Sequence, residues 1–229
     1  MGPRRTVGRR LLLAAGLTGL LVLAGCSNAL RWEPDYHTVR QGETLYSIAF
    51  RYGLDQRQLA AWNGLGSGRL IYPGQRLKLT GPAVSASGQT PRSAKKAPAP
   101  RAPTIPVSDW RWPTSGPVIA GFNSSPKSQS GIQLGGQLGQ SVQAASAGQV
   151  VYAGSGLKSY GQLVIIKHNA TFLSAYGYNE ALLVKEGDSV QRGQQIARMG
   201  QGPGRRSMLH FEIRRNGQPV NPLSYLPNR

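Results

Sequence analysis

Few side chains in this sequence could do chemistry. Histidine occurs three times, at His37, His168 and His210, beside nine acids and a single cysteine, Cys26. His210 and Glu212 stand two residues apart in the run Leu209-His210-Phe211-Glu212-Ile213. On a strand that spacing puts imidazole and carboxylate on one face, where His168 could join them as a third ligand of the kinds zinc accepts. The same pair equally suits a structural role or the lining of a groove. Covalent catalysis has no candidate, because no Gly-x-Ser-x-Gly elbow occurs and Cys26 closes an apolar N-terminal run. One cysteine also excludes an intramolecular disulfide and an all-cysteine metal site.

The elements that must position these residues fall into two units behind an export signal. Arg4, Arg5, Arg9 and Arg10 precede an apolar run from Leu11 to Ala24, a basic-then-apolar layout that assigns 1–25 to a signal. The run is shorter than the roughly 20 residues that a membrane-spanning helix requires. Residues 26–35 lead as a tether into a first unit, 36–80. There Tyr36-His37-Thr38-Val39 alternates as a short strand with His37 on its surface. Thr44 caps a helix over 45–52 that Gly53 ends, Asp55 caps a second over 55–63 with Leu59 and Trp62 inward, and Arg76-Leu77-Lys78-Leu79 closes as a strand.

Residues 81–106 are rich in Ala, Pro and Ser, contain no acid and have almost no large apolar side chains. Such a stretch cannot bury enough surface to fold and reads as a disordered linker. From 107 to 229 short apolar runs recur between glycines, at 150–152, 163–166, 182–184 and 209–213, which predicts an antiparallel β-sheet or sandwich. The fold class is therefore a small α+β unit of βααβ order followed by a mainly antiparallel β domain. Low aromatic content, 7%, with 30 glycines and 16 prolines argues against a large helical bundle.

Charge narrows the surroundings without naming them. Lysine and arginine outnumber the acids 27 to 9, a formal +18. Removing the signal takes away four arginines and no acid, leaving +14. Nucleic acid, anionic lipid and a bacterial envelope all suit such a chain. The charge is spread over every segment and no basic groove is interleaved with aromatics, so nucleic acid is not read as a partner.

Several segments resemble known families. Leu23-Ala24-Gly25-Cys26 resembles a bacterial lipobox, which implies that Cys26 becomes a lipidated N-terminus and the membrane anchor. Ser27 in place of Asp after it implies, by the same resemblance, the periplasmic face of the outer membrane. A plain secretory signal with an incidental cysteine is the alternative, and the Arg9-Arg10 pair leaves twin-arginine export open beside the general route. Gly42-Glu43-Thr44-Leu45, Ile48-Ala49, Trp62-Asn63 and Ile71-Tyr72-Pro73-Gly74-Gln75 resemble a LysM domain. That resemblance implies binding of N-acetylglucosamine-containing glycan, hence of peptidoglycan, between Gly42, Glu43, Thr44 and Leu45 on one side and Ile71, Tyr72, Pro73 and Gly74 on the other. Leu45 and Ile71 equally fit a core, and Pro73-Gly74 a plain turn.

Residues 144–154, 160–168 and 184–194, with Leu209-His210-Phe211-Glu212 and the 221–226 ending, resemble a LytM (lysostaphin-type) zinc endopeptidase domain. Active members hold zinc through His-x-Gly-x-Asp and the second histidine of His-x-His. Here those positions carry Gln129, Gln133 and His210, and the two further family histidines align with Tyr178 and Met208. The resemblance thus implies a degenerate domain with no catalytic residue, no metal and no cofactor, since a neutral amide is a poor zinc ligand and methionine transfers no proton. Lipobox, LysM, linker and degenerate LytM domain together resemble the NlpD group of envelope lipoproteins. They imply a non-enzyme that activates a periplasmic N-acetylmuramoyl-L-alanine amidase during septal wall hydrolysis and cell separation, with the old substrate groove (Gln129, Gln133, Tyr178, Met208, His210) receiving the partner. An endopeptidase with a rearranged zinc site, or a tether that activates nothing, are the alternative readings.

Overall fold

The computed structural model describes residues 34–66, 70–82, 110–122 and 130–228. Cys26, the linker from 83 onward and Gln129 lie outside the described residues. The described residues from Pro34 onward form one compact unit.

The first module runs β1 (Tyr36–Thr38), α1 (Leu45–Tyr52), α2 (Gln56–Trp62) and β2 (Arg76–Lys78), with β1 and β2 paired antiparallel. Helix α1 begins where expected because Thr44 accepts the Ser47 amide while the Ser47 hydroxyl accepts the Thr44 amide, satisfying two donors that a helix start leaves open. Gly53, at φ 65, ends it in the left-handed conformation that favours glycine. The stripe Leu45, Ile48, Ala49 and Tyr52 packs with Leu59, Leu77 and Leu79 into the module's core. His37 departs from the surface position expected of it. Its ring is buried, bonded at Nδ1 to Tyr52 and at Nε2 to Glu43 (3.0 and 2.6 Å). Alternation cannot tell which face of a two-stranded ribbon a neighbouring helix covers. Trp62 is only half-buried, its indole N–H donating to the Pro82 carbonyl.

The second module is built from β3 (Val118–Ala120), β4 (Ile132–Gly135), β5 (Ser141–Gln143), β6 (Gly148–Gly154), β7 (Gln162–Lys167), β8 (Phe172–Leu182), β9 (Ser189–Val190), β10 (Gln195–Met199), β11 (Met208–Arg215) and β12 (Gln218–Val220). The strands join in the order β3-β4-β11-β8-β7-β6-β9, with β10 bridging β5 and β8 and β12 flanking β11. Every pairing is antiparallel. Of the run 182–184 only Leu182 belongs to a strand. One face buries Trp110, Ile132, Leu134, Tyr176, Ile196, Leu209 and Phe211 among others.

The opposite face is covered by the first module. Phe50 of α1 is buried among Val151, Tyr152, Leu157, Leu163, Ile165 and Ala175. Burial of such a ring is worth about 2–3 kcal/mol. Arg51 donates to the Gly156 carbonyl, the Gln218 amide to Gly53 and Arg214 to Phe50. Residues Asn216 and Gly217, both at positive φ, turn β11 into β12 as an Asn-Gly hairpin. A Cβ on Gly217 would stand 2.3 Å from the Leu54 carbonyl, so this contact admits glycine alone.

Candidate functional site

Two candidate sites follow from the sequence, one in each module. In the first, the Val39 amide donates to Gln75 and the Gly74 amide to Val39, each at 2.8 Å. These bonds hold the 72–75 turn beside the 40–43 turn. Gly42 and Gly74 sit at φ 77 and 87, and a methyl on either would meet nothing within 4 Å, so both are needed for the bend rather than for space. Tyr72 is 62% exposed and Leu70 65%, offering flat apolar area of the kind that stacks on sugar faces. Pro73 and Gly74 are exposed and Ile71 half-buried against the module core. Leu45 is a core residue and can offer a glycan only its backbone. Glu43 is tied inward: its carboxylate accepts from His37 and the Arg40 amide and pairs with Arg51 at 2.9 Å. Burial pushes that carboxyl up, but the His37 and Arg40 bonds and the Arg51 charge outweigh it and hold it below the usual range. Thr44 caps α1 and its hydroxyl lies 3.4 Å from the Val151 carbonyl of the other module.

In the second site β4, β11 and β8 lie side by side. Gln133 faces His210 across the β4–β11 pair and His210 faces Gly177 across β11–β8. Met208 shares a strand face with His210, and the Tyr178 ring lies 5.9 Å from the imidazole, edge to face. The structure thus brings together Gln133, Tyr178, Met208 and His210. Tyr178 adopts φ 63, an uncommon state for a bulky residue that marks a constrained position. Tyr178 and Met208 are 6% and 3% exposed. A methyl on Gly202 would meet Met208 Sδ at 2.7 Å and Tyr178 Cδ2 at 2.8 Å. The 200–207 loop therefore roofs them, and the contact area expected of these two side chains is covered rather than open.

Beneath that roof the surviving histidine is held through one ring nitrogen, while its Nδ1 has no hydrogen-bond partner among the described residues. His210 Nε2 lies 2.8 Å from Glu212 Oε1, Glu212 Oε2 accepts from Arg214 Nε at 2.8 Å, and the Tyr160 hydroxyl donates to Glu212 Oε1 at 2.9 Å. Burial alone would raise the Glu212 carboxyl, but the Arg214 charge and the His210 bond hold it below its ordinary value. Burial, then the Glu212 charge, pushes the Tyr160 phenol well above its ordinary value. Gln133 is a neutral amide, and among the described residues no three His, Cys, Asp or Glu side chains are placed to hold a metal ion. The described residues do not fit the zinc that the LytM resemblance would otherwise imply.

His168 stands apart from this site. It is buried under Trp110, rings 4.8 Å apart, with Nδ1 2.8 Å from the Ala147 carbonyl and Nε2 2.7 Å from Ser174 Oγ. Facing a carbonyl, Nδ1 carries the proton, so Nε2 accepts from Ser174. Sequence reasoning missed Phe50, Tyr160 and Arg214. Phe50 had a signal: it is apolar yet lies off the 45/48/49/52 stripe, beside Tyr46, so α1 carries two apolar faces where an isolated module needs one.

Comparison with known proteins agrees with both module assignments. Residues 37–80 match the LysM domain and 127–222 match Peptidase family M23. A protein of Pseudomonas aeruginosa named Lipoprotein NlpD/LppB homolog is 47% identical over 233 aligned residues, covering 84% of this chain and 77% of that one. The lipoprotein YgeR of Escherichia coli is 35% identical over 98% of this chain and 94% of its own. The Murein hydrolase activator NlpD of Escherichia coli is 50% identical over 126 residues, which is 55% of this chain and 33% of that protein.

Proposed function

The chain belongs to the NlpD/LppB lipoprotein family, and from that premise we propose that it is an outer-membrane lipoprotein, anchored through Cys26 on the periplasmic face, that binds peptidoglycan through its LysM module. We further propose that it activates a periplasmic N-acetylmuramoyl-L-alanine amidase and hydrolyses nothing itself. The observation that carries this reading is Gln133, a neutral amide that faces His210 across the β4–β11 pair where an anionic zinc ligand would be needed. Glu212 holds His210 Nε2 and is itself paired with Arg214, and a single imidazole with no anionic ligand beside its other nitrogen does not make a catalytic zinc site. The relatives named murein hydrolase activators, 50% identical over 55% of this chain, support the activator reading.

An activator works by binding the open form of its enzyme more tightly than the closed form. The partner's docking segment meets the 200–207 loop first, with Arg205 and Arg206 exposed on it, and reaches Tyr178 and Met208 only where that loop yields. The test is release of dye from labelled sacculi. The chain with added zinc releases none; amidase with the chain releases more than amidase alone. Release by the chain alone, or no stimulation of any periplasmic amidase, overturns the proposal. Tyr72→Ala lowers sedimentation of the chain with sacculi if the glycan lies across the 72–75 turn.

A further inference from the structure

The back of the degenerate groove is not made by its own module alone. Phe50 of α1 meets Tyr160 edge to face at 5.4 Å, Tyr160 meets His210 at 5.4 Å, and His210 meets Tyr178 at 5.9 Å. A polar path runs beside this aromatic one. The Phe50 carbonyl accepts from Arg214 at 2.6 Å, and Arg214 holds Glu212, which in turn holds both His210 and Tyr160. The Arg214 guanidinium also lies 3.4 Å from the centre of the Phe50 ring, a cation over an aromatic face in a desolvated setting. Phe50, His210, Glu212 and Arg214 are all buried.

We infer that the LysM module is a working part of the groove: Phe50 and Arg214 are positioning residues for Tyr160, His210 and Tyr178, so module docking and groove geometry are coupled. This rests on the reading of the groove as the docking surface, although the coupling is measured without any amidase. With the module seated, Glu212 has Arg214 held on its far side by a carbonyl and a ring. With the module away, that guanidinium faces water, Phe50 leaves Tyr160, and the groove floor loses two of its supports. Residues 81–106 connect the modules covalently, so the module can leave without being lost. Coupling of this kind is reciprocal, and whatever binds the groove also tightens or loosens the module.

The ligand that biases docking from the other side is an N-acetylglucosamine oligomer. Glu43 of the glycan loop pairs with Arg51, which donates to the Gly156 carbonyl at 3.2 Å, and the Thr44 hydroxyl reaches Val151. A sugar that moves the 42–44 loop therefore moves contacts to β6 and to the segment before Tyr160.

The experiment is hydrogen exchange with small-angle scattering on the soluble chain from residue 27, which lacks only the signal and Cys26. Phe50→Ala and, independently, Gln218→Ala, which touches neither Tyr160 nor Arg214 in any contact described above, should enlarge the particle. Exchange at 158–162 and 176–179 should rise about tenfold, while the β5–β10 pair stays unchanged. An enlarged particle with unchanged exchange in those segments overturns the coupling, as does unchanged size and exchange in both alanine variants. Chitotetraose added to the wild type should change exchange at 40–45 and, through the interface, at 158–162. A change at 40–45 without one at 158–162 overturns the coupling. No change at 40–45 removes the glycan reading, and the variants then decide the coupling by themselves.

Discussion

At the scale of single residues, burial fixes the protonation of a polar group even against its hydrogen-bond partner. His168 is the plainest case: burial pushes it down to about 4 from its ordinary 6.5. The unfolded chain then takes up a proton at higher pH than the folded one. The stability this residue contributes is complete above pH 6.5, drains as pH falls toward 4, and falls no further below that. The whole effect is about 3 kcal/mol. His168→Gln keeps a donor for Ala147 and an acceptor for Ser174 but cannot titrate. Its denaturation midpoint should fall less than that of the wild type between pH 7 and pH 4, and parallel curves would show that His168 does not govern acid sensitivity. Gly202 tests the groove at the same scale. Met208→Asp or Tyr178→Asp would bury a charge and damage the sheet, whereas Gly202→Ala strains only the seated loop, by about 1 kcal/mol, and so favours the open groove up to about fivefold. Amidase stimulation should rise; a fall would mean that the closed loop itself is the docking surface.

At the scale of elements, the seam between modules depends on close backbone approach. Gly217→Ala puts a methyl on the Leu54 carbonyl and occupies φ 79, so α1 must lift while the sheet is left whole. The particle should expand in scattering with little loss of β-sheet signal, and an unchanged radius would show that the hairpin yields instead. This seam also marks where sequence reading stops. Helix α1 was legible because Thr44 and Gly53 bracket an apolar stripe, and β6, β7 and β11 because their apolar runs are bounded by glycine. The His210–Glu212 pair was legible as well, since a two-residue spacing on a strand has one geometric consequence. The second apolar face at Tyr46 and Phe50 is a pattern too, but periodicity says that a face is buried, not what buries it. Likewise the covering of Tyr178 and Met208 depends on a loop, 200–207, whose glycines and arginines carry no periodic signal.

At the scale of the molecule, the packing of the two modules sets how far the groove can stand from the membrane. Seven residues lie between Cys26 and Pro34, where the compact unit begins, a reach of at most about 30 Å when fully extended. While the LysM module is seated on the β-sheet, the 72–75 turn and the groove travel together. On the proposed function, lipidation at Cys26 is a positioning device as well as an anchor, since two or more acyl chains hold a protein at a bilayer durably. Cys26→Ser should move the protein from the membrane pellet to the soluble fraction, abolish fatty-acid labelling, and leave sedimentation with sacculi and stimulation of amidase in solution unchanged. In cells the same variant should separate septa less well than an anchored chain at equal abundance. Inserting about 20 residues after Ser27 should keep the anchor while relaxing the distance limit. If the inserted chain labels with fatty acid and separates septa as the wild type does, short reach is not part of the function; if Cys26→Ser still labels and pellets with membranes, the anchor lies elsewhere.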